Sequence, residues 1–161
     1  MLQRVIVSPI GQLLLAEQDG MLCEIRLLQT DADFHDCDPV LDETERQLKQ
    51  YFTGKREAFD LPMKMKGSAF DRAVWRQLME IPFGETRTYG QIAAALGKPA
   101  ASRAVGGACS RNPLLIVAPC HRVVASTGRL TGFAAGLDAK RVLLEHEGWM
   151  VREEHLVFRI E

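Results

Sequence analysis

The sequence predicts an α+β protein: a small N-terminal β-sheet with one helix, followed by a mostly helical C-terminal part with a helix-turn-helix. Short β-prone runs fill the first 27 residues, and helical apolar spacing dominates after residue 67. The charge also changes sign. Residues 1–66 carry 8 Lys and Arg against 12 Asp and Glu, a net −4, whereas residues 67–161 carry 12 against 9, a net +3. We therefore predict two domains, 1–66 and 67–161.

The N-terminal elements follow from turn residues placed between apolar runs. Asp19-Gly20 separates two such runs and is a strong hairpin signal. Leu41, Leu48 and Phe52 recur at helical spacing, and Gly54 ends that pattern. The predicted elements are strands over 4–7, 12–16 and 21–27 and a helix over 40–52.

The C-terminal elements follow from capping residues. Ser68 and Thr88 each stand three residues before a side chain that completes a capping pattern, so a helix begins at each. The first of these helices ends before Pro82. Gly97-Lys98-Pro99 forms a short turn to the next helix, and Gly148 follows the last one. The remaining predicted helices are 89–96, 100–109 and 137–147.

The two helices joined at residues 97–99 resemble a helix-turn-helix. The second is built from small residues around one long side chain, Arg103, so it can approach a duplex closely. Residues 86–141 hold eight Lys and Arg but one acid, Asp138, a net charge of +7. Such a stretch is typical of a protein that binds a phosphate backbone. A solvated basic surface over a packed helix is the alternative, and charge alone does not decide between them.

A reactive thiol is indicated at Pro119-Cys120-His121-Arg122, which follows the apolar run 114–118. Pro119 fixes φ and removes a donor, so the segment cannot continue as a regular helix or ladder. The thiolate is the nucleophilic form of Cys, and a neighbouring His and Arg favour it. A buried apolar thiol beside a core histidine is the alternative.

Residues 119–124 resemble the active-site signature of the O6-alkylguanine-DNA alkyltransferases. The surrounding residues resemble the same family from about 68 to 150, in order and with similar spacing, while residues 1–66 resemble it loosely. The motifs that carry the resemblance are Tyr89-Gly90-Gln91, Ser102-Arg103-Ala104-Val105-Gly106-Gly107-Ala108, Arg111-Asn112-Pro113, Thr131-Gly132-Phe133 and Leu143-Leu144-Glu145-His146-Glu147-Gly148.

The resemblance implies direct reversal of DNA damage. O6-alkylguanine, mainly O6-methylguanine, is rotated out of the duplex, and Cys120 takes its alkyl group in a single irreversible displacement. It further implies that Glu147 orients His121, which removes the thiol proton through a water. Tyr89 would stand beside the target nucleotide and donate to the leaving purine.

The resemblance also assigns the DNA contacts and the pocket. Arg103 would be the finger that enters the stack, and Asn112 would tie the helix-turn-helix to the active-site segment. Two positions depart from the family pattern: Phe133 replaces a common Tyr, and Cys109 replaces bulkier or polar residues. The expected DNA-binding residues are Ala101, Ser102, Arg103, Ala104, Tyr89 and Arg122. The expected pocket residues are Cys109, Asn112, Val123, Phe133 and Ala134.

No cofactor is expected, because displacement by a thiolate needs neither redox nor nucleotide chemistry. Cys23, His35 and Cys37 match no standard ligand spacing, so no metal is expected. The expected partner is double-stranded DNA containing O6-alkylguanine, bound by a monomer, with cooperative assembly along DNA left open. No membrane span or signal peptide is predicted, and the expected location is the cytoplasm, at the nucleoid in a prokaryote. The rival functions are a cysteine hydrolase with turnover and a non-enzymatic module that binds alkylated DNA.

Overall fold

In the computed structural model, which describes residues 1–160, the chain forms two compact units. The first contains Met1–Lys66 together with Pro113–Val117. The second contains Gly67–Asn112 and the described chain from Ala118 onward. The chain therefore leaves the second unit for five residues and returns to it shortly before Cys120. The order of strands and helices confirms the predicted α+β class.

The first unit is a three-stranded antiparallel sheet with one helix. Its elements are β1 (Leu2–Ser8), β2 (Gly11–Gln18), β3 (Met21–Leu27) and α1 (Pro39–Phe52), with strand order β1-β2-β3. Asp19 and Gly20 take φ values of 54° and 77°, as a two-residue hairpin turn requires. Residues 13–16 of β2 are all buried, so the central strand is covered on both faces. Asp38 caps α1 by accepting from the Leu41 amide at 3.0 Å.

The second unit is built on four helices: α2 (Ala69–Met79), α3 (Tyr89–Ala95), α4 (Ser102–Ser110) and α5 (Leu137–His146). The helices α3 and α4 pack together as the predicted helix-turn-helix. Helix α2 buries the stripe Val74, Trp75 and Leu78. The Trp75 indole donates to the Ala108 carbonyl at 2.9 Å, which ties α2 to α4.

Four short strands of this unit were not predicted. Two residues of β4 (Arg87–Thr88) pair in parallel with two of β5 (Val123–Val124), which holds the start of α3 beside the chain after Cys120. The strands β6 (Trp149–Arg152) and β7 (His155–Arg159) form an antiparallel hairpin. Its turn residues Glu153 and Glu154 both have positive φ without a Gly, Asn or Asp to indicate a turn in the sequence.

None of the helices within residues 1–160 combines the length and the apolar character that crossing a membrane requires.

Candidate active site

The reactive segment is a tight turn that starts at the candidate nucleophile. Cys120 opens a single 3₁₀ turn, Cys120–Arg122, and its amide donates to the Ala118 carbonyl at 2.8 Å. The Asn112 side-chain amide donates to that carbonyl at 2.7 Å and to the Cys120 sulfur at 3.1 Å. Asn112 therefore closes the loop 113–117 at its base and holds the thiol at the same time.

His121 and Glu147 form a fully buried pair. The His121 Nε2 lies 2.7 Å from a carboxylate oxygen of Glu147, and both side chains have 0% exposure. Glu147 caps the C-terminus of α5, so the helix end fixes the position of the carboxylate. Because a carboxylate only accepts, Nε2 carries the ring proton and Nδ1 is the basic nitrogen. The Nδ1 atom is buried and has no hydrogen-bond partner among the described residues.

Arg122 holds the same carboxylate from the other side. Its Nε and Nη2 donate to the two oxygens of Glu147 at 2.8 and 3.0 Å, and its Nη1 donates to the Ile81 carbonyl at 2.6 Å. The Gly84 amide also donates to Glu147, at 3.1 Å. Arg122 is 5% exposed, so nothing in this structure supports the expectation that it contacts DNA. Its guanidinium makes its hydrogen bonds inside the protein, where its charge neutralises that of Glu147.

The charge states follow from burial and from these bonds. Burial alone would raise the pKa of the Glu147 carboxyl, but the His121 ring and the Arg122 guanidinium outweigh it and hold that pKa well below its ordinary value. Burial lowers the pKa of the His121 imidazole, although Glu147 acts in the opposite direction. The pair is therefore an ionised carboxylate beside a neutral imidazole that can take up a proton.

The thiol of Cys120 is less acidic than the sequence suggested. Burial raises its pKa to about 11, while the Asn112 amide and the Lys140 ammonium act to lower it. Arg122 was expected to favour the thiolate but is directed to Glu147 instead. Since the free thiol is protonated at neutral pH, its attack on carbon requires a base.

Lys140 is a site residue that sequence reasoning missed. It has 0% exposure, and its Nζ donates to the carbonyls of Val123 at 2.6 Å and Thr131 at 2.8 Å. Burial lowers its pKa to about 8. The sequence signal that could have identified it is helical spacing, because Lys140 lies three and four residues before Leu143 and Leu144, which are buried on the same face of α5. A lysine on an apolar helical stripe needs a specific partner.

Tyr89 stands at the first turn of α3, between two glycines. A Cβ added to Gly106 would lie 3.8 Å from the Tyr89 ring, and one added to Gly132 would lie 3.5 Å from its hydroxyl. The Tyr89 hydroxyl donates to the Thr131 carbonyl at 2.9 Å. Burial raises its pKa, so the phenol stays protonated and remains a donor.

An open cleft of about 480 Å³ lies between α4 and this tyrosine. Arg103 and Ala104 are exposed on α4, whereas Ala101 and Ser102 are half-buried. Cys120 is 2% exposed and does not line the cleft. The lining residues are Tyr89, Ser102, Arg103, Gly106, Gly107, Ser110, Thr131 and Gly132.

The remaining predicted pocket residues lie on both sides of the reactive segment. Phe133 is 8% exposed, with its ring edge-on to the His121 ring at 6.4 Å between centroids. Cys109 is buried, which raises the pKa of its thiol to about 12. Ala134 is exposed on the loop before α5, and Val123 is buried with its carbonyl bound by Lys140. No group of three His, Cys, Asp or Glu side chains in residues 1–160 is arranged to hold a metal ion.

Comparisons with known proteins cover nearly the whole chain. Residues 69–149 match the family model described as the DNA-binding domain of 6-O-methylguanine DNA methyltransferase, and residues 1–65 match the ribonuclease-like domain of the same family.

Individual relatives agree with the family models. A methylated-DNA–protein-cysteine methyltransferase of Methanosarcina barkeri is 48% identical over 149 residues, which is 89% of this chain and 94% of the relative. One of Mycobacterium tuberculosis is 42% identical, over 89% of this chain and 90% of the relative. The crystal structure of the Mycobacterium tuberculosis protein OGT in complex with DNA has a TM-score of 0.84 at 43% identity, covering 91% of this chain and 92% of that one.

Proposed function

This chain belongs to the 6-O-methylguanine DNA methyltransferase family, and we propose that it repairs DNA by moving the alkyl group of O6-alkylguanine to its own Cys120. The observation that supports this function best is a cluster of buried side chains, in which Asn112 donates to the Cys120 sulfur and Glu147 binds the adjacent His121. The activity is that of the methylated-DNA–protein-cysteine methyltransferases to which the chain is similar, and we propose that each molecule acts once.

The chemistry is one displacement at saturated carbon. The proton of the Cys120 thiol passes to His121 Nδ1 through a water, and Glu147 stabilises the imidazolium that forms. The sulfur then forms a bond to the alkyl carbon as the bond from that carbon to guanine O6 breaks. The bonding pair leaves with guanine, which accepts a hydrogen bond from the Tyr89 hydroxyl and takes up a proton from water, while His121 returns its proton to solvent. The product on the protein is a thioether, which has no easy hydrolytic exit, so Cys120 is not regenerated.

The base must leave the stack before the sulfur can reach it. Tyr89 has to exchange its hydrogen bond to Thr131 for one to the purine, since its hydroxyl donates to only one acceptor at a time. The Val123 carbonyl gives one lone pair to Lys140 and has a second for the guanine amino group. The Ala134 amide faces O6, and the loop from Gly132 closes over the base.

DNA is bound through α4. Arg103 enters the stack where guanine was, and the small side chains Ala101, Ser102 and Ala104 let the helix backbone approach the duplex. The structure of the Mycobacterium tuberculosis relative in complex with DNA supports DNA as the partner. Family members flip the nucleotide through the minor groove, so α4 works there and Arg103 takes no part in major-groove readout. The reacting groups named above lie on one chain, so the transfer needs no second copy, and we propose that the protein acts as a monomer in the compartment that holds the DNA.

Stoichiometry tests this function against the rivals. Incubation with an excess of duplex that carries O6-methylguanine with a labelled methyl group is expected to transfer one label per protein and then stop. A cysteine hydrolase would release many labels per thiol into solvent, and a binding module would transfer none. Cys120→Ser is expected to lose transfer completely and to keep its affinity for the duplex.

A further inference from the structure

Ile116 holds an unusual backbone conformation four residues before the nucleophile. Its φ is +72°, a region that β-branched residues rarely adopt, and its side chain is 1% exposed. The Val117 amide donates to the Leu115 carbonyl at 2.8 Å, which closes a three-residue turn around Ile116. The positive-φ form of this turn is rare and strained. Within residues 1–160, the other non-glycine residues with positive φ are Asp19, Glu153 and Glu154, which lie in hairpin turns.

The strained turn is held from its N-terminal side by the sheet of the first unit. The Ile25 amide donates to the Pro113 carbonyl at 2.8 Å, and the Leu115 amide donates to the Ile25 carbonyl at 3.1 Å. Leu114 and Leu115 are buried, as Ile116 is. Pairing and burial together fix the backbone up to the residue where φ becomes positive.

The chain has little freedom between this turn and the thiol. Pro119, with φ −81° and ψ 66°, is the centre of a second three-residue turn, closed by the Cys120 amide and the Ala118 carbonyl at 2.8 Å. Asn112 binds the same carbonyl and the sulfur. Three residues, all adjacent to or inside turns, therefore separate Ile116 from Cys120. A change of φ at Ile116 would shift the direction in which the chain reaches the sulfur.

We propose that Ile116 is a positioning residue for Cys120. Its positive φ, held by the paired segment 113–115 and by burial of its own side chain, directs the chain so that the sulfur lies within reach of the Asn112 amide. The inference rests on the proposed function and deepens it, because it assigns a part in the alkyl transfer to the segment 113–117.

Two substitutions at this position separate backbone from side chain. Ile116→Ala removes the buried side chain that holds the conformation but keeps the Cβ that disfavours positive φ, so its backbone is expected to relax. Ile116→Gly removes the same side chain but adopts positive φ without a penalty. Cys120 in Ile116→Ala is expected to react about tenfold more slowly than in the natural chain, and Ile116→Gly is expected to restore the rate to within about twofold.

The reaction to measure is carboxamidomethylation of Cys120 in the full-length protein by iodoacetamide, followed by the mass of the peptide that holds Cys120, well below the unfolding temperature. Urea unfolding of the same variants reports the strain: Ile116→Gly is expected to unfold at a higher urea concentration than Ile116→Ala. Leu115→Ala and Leu115→Gly are the matched control, because Leu115 is buried but lacks a positive φ. There the usual order, Ala more stable than Gly, is expected, and Cys120 is expected to react no faster in Leu115→Gly than in Leu115→Ala.

Equal Cys120 rates in Ile116→Ala and Ile116→Gly would overturn the positioning role. If Ile116→Gly unfolds at a lower urea concentration than Ile116→Ala, the backbone at residue 116 is not strained. The iodoacetamide rates need no DNA, so they test Ile116 independently of the alkyl transfer. If the natural chain fails to take a methyl group from damaged duplex, the proposed function fails, while the order of iodoacetamide rates still decides the role of Ile116.

Discussion

At the scale of single residues, the acidity of Cys120 is set by three neighbours that act against burial or supply a base. Asn112 and Lys140 lower the pKa of a thiol that burial raises to about 11. The Nδ1 atom of His121 has no hydrogen-bond partner in the described protein, and the proposed role of His121 is to take the proton through a water. The buried thiol is thus protonated at neutral pH, and its acidity depends on groups that single substitutions can remove.

Lys140→Met tests the contribution of the buried ammonium. Because burial lowers the Lys140 pKa to about 8, its ammonium is present at pH 7 but absent where the thiol titrates. The rate of Cys120 alkylation by iodoacetamide is therefore expected to be lower than in the natural chain at pH 7 and to approach it above about pH 10. The comparison is made from the pH–rate profile between about pH 7 and 11. Arg141→Met, which removes an exposed charge from the same helix, is the control and is expected to leave the profile in place. An unshifted profile in Lys140→Met would show that the ammonium does not act on the sulfur.

Glu147→Gln tests the buried acid. It leaves the Arg122 guanidinium without its carboxylate, which is expected to cost about 3–5 kcal/mol of unfolding free energy. The amide also presents a donor to His121 and favours the tautomer with Nδ1 protonated, so transfer is expected to slow by about 100-fold or more. Single-turnover kinetics on damaged duplex measure the second effect.

The difference in unfolding free energy between the natural chain and Glu147→Gln is expected to depend on pH. Glu147 has a folded-state pKa below its ordinary value of 4.5. Its stabilisation is therefore fully present above about pH 4.5 and is lost as the pH falls toward the folded-state pKa. The stability difference between the natural chain and Glu147→Gln is expected to shrink below pH 4.5. A difference that stays constant on acidification would contradict an ionised Glu147 in the folded protein.

At the scale of elements, α3 depends on its first turn. Thr88 accepts from the Gln91 amide at 3.0 Å, and the Gln91 side chain accepts from the Thr88 amide at 2.9 Å. This capping box fixes the start of the helix that carries Tyr89. Thr88→Ala is expected to lower the unfolding free energy by about 1 kcal/mol, measured by urea denaturation. A double-mutant cycle with Gln91→Ala should give less than the sum of the two losses, and strict additivity would mean that the two bonds are independent.

Elements with local signals could be predicted from the sequence. The predicted helices 40–52 and 89–96 correspond to Pro39–Phe52 and Tyr89–Ala95, because capping residues and apolar spacing act within a few residues. The hairpin β6–β7 could not be predicted, since its turn is formed by two glutamates at positive φ. The join of segment 113–117 to Ile25 links residues about ninety positions apart, which no local pattern reveals.

The site, like the fold, has residues that the sequence identifies and residues whose surroundings depend on distant contacts. Cys120, His121, Glu147 and Tyr89 were identified through the family resemblance and lie in the second unit, and their catalytic roles stay proposals. The burial of Arg122 and Lys140 could not be predicted from the sequence. Arg122 binds a carboxylate 25 residues away, and Lys140 binds two backbone carbonyls. Sequence chemistry identifies reactive side chains, whereas the groups that neutralise them depend on packing.

At the scale of the whole molecule, charge separates the two parts of the chain and is expected to govern DNA binding. The stretch 86–141 has a net charge of +7 within a protein of net charge −1. Affinity for undamaged duplex is expected to fall about tenfold or more between 50 and 200 mM salt, measured by fluorescence anisotropy.

Arg103→Ala is expected to weaken binding of damaged duplex about tenfold. The matched control is Arg72→Ala, which removes an exposed arginine on α2 and is expected to leave the affinity within about twofold. Equal losses would show that general charge, and not α4, determines binding.

Peptide mass spectrometry after incubation with duplex that carries isotope-labelled O6-methylguanine tests whether an alkyl group is transferred irreversibly to one sulfur. We expect one labelled methyl group on the peptide that contains Cys120, and none on the peptides that contain Cys23, Cys37 or Cys109. A protein that gains no mass, or a label found on another cysteine or free in solvent, would contradict it.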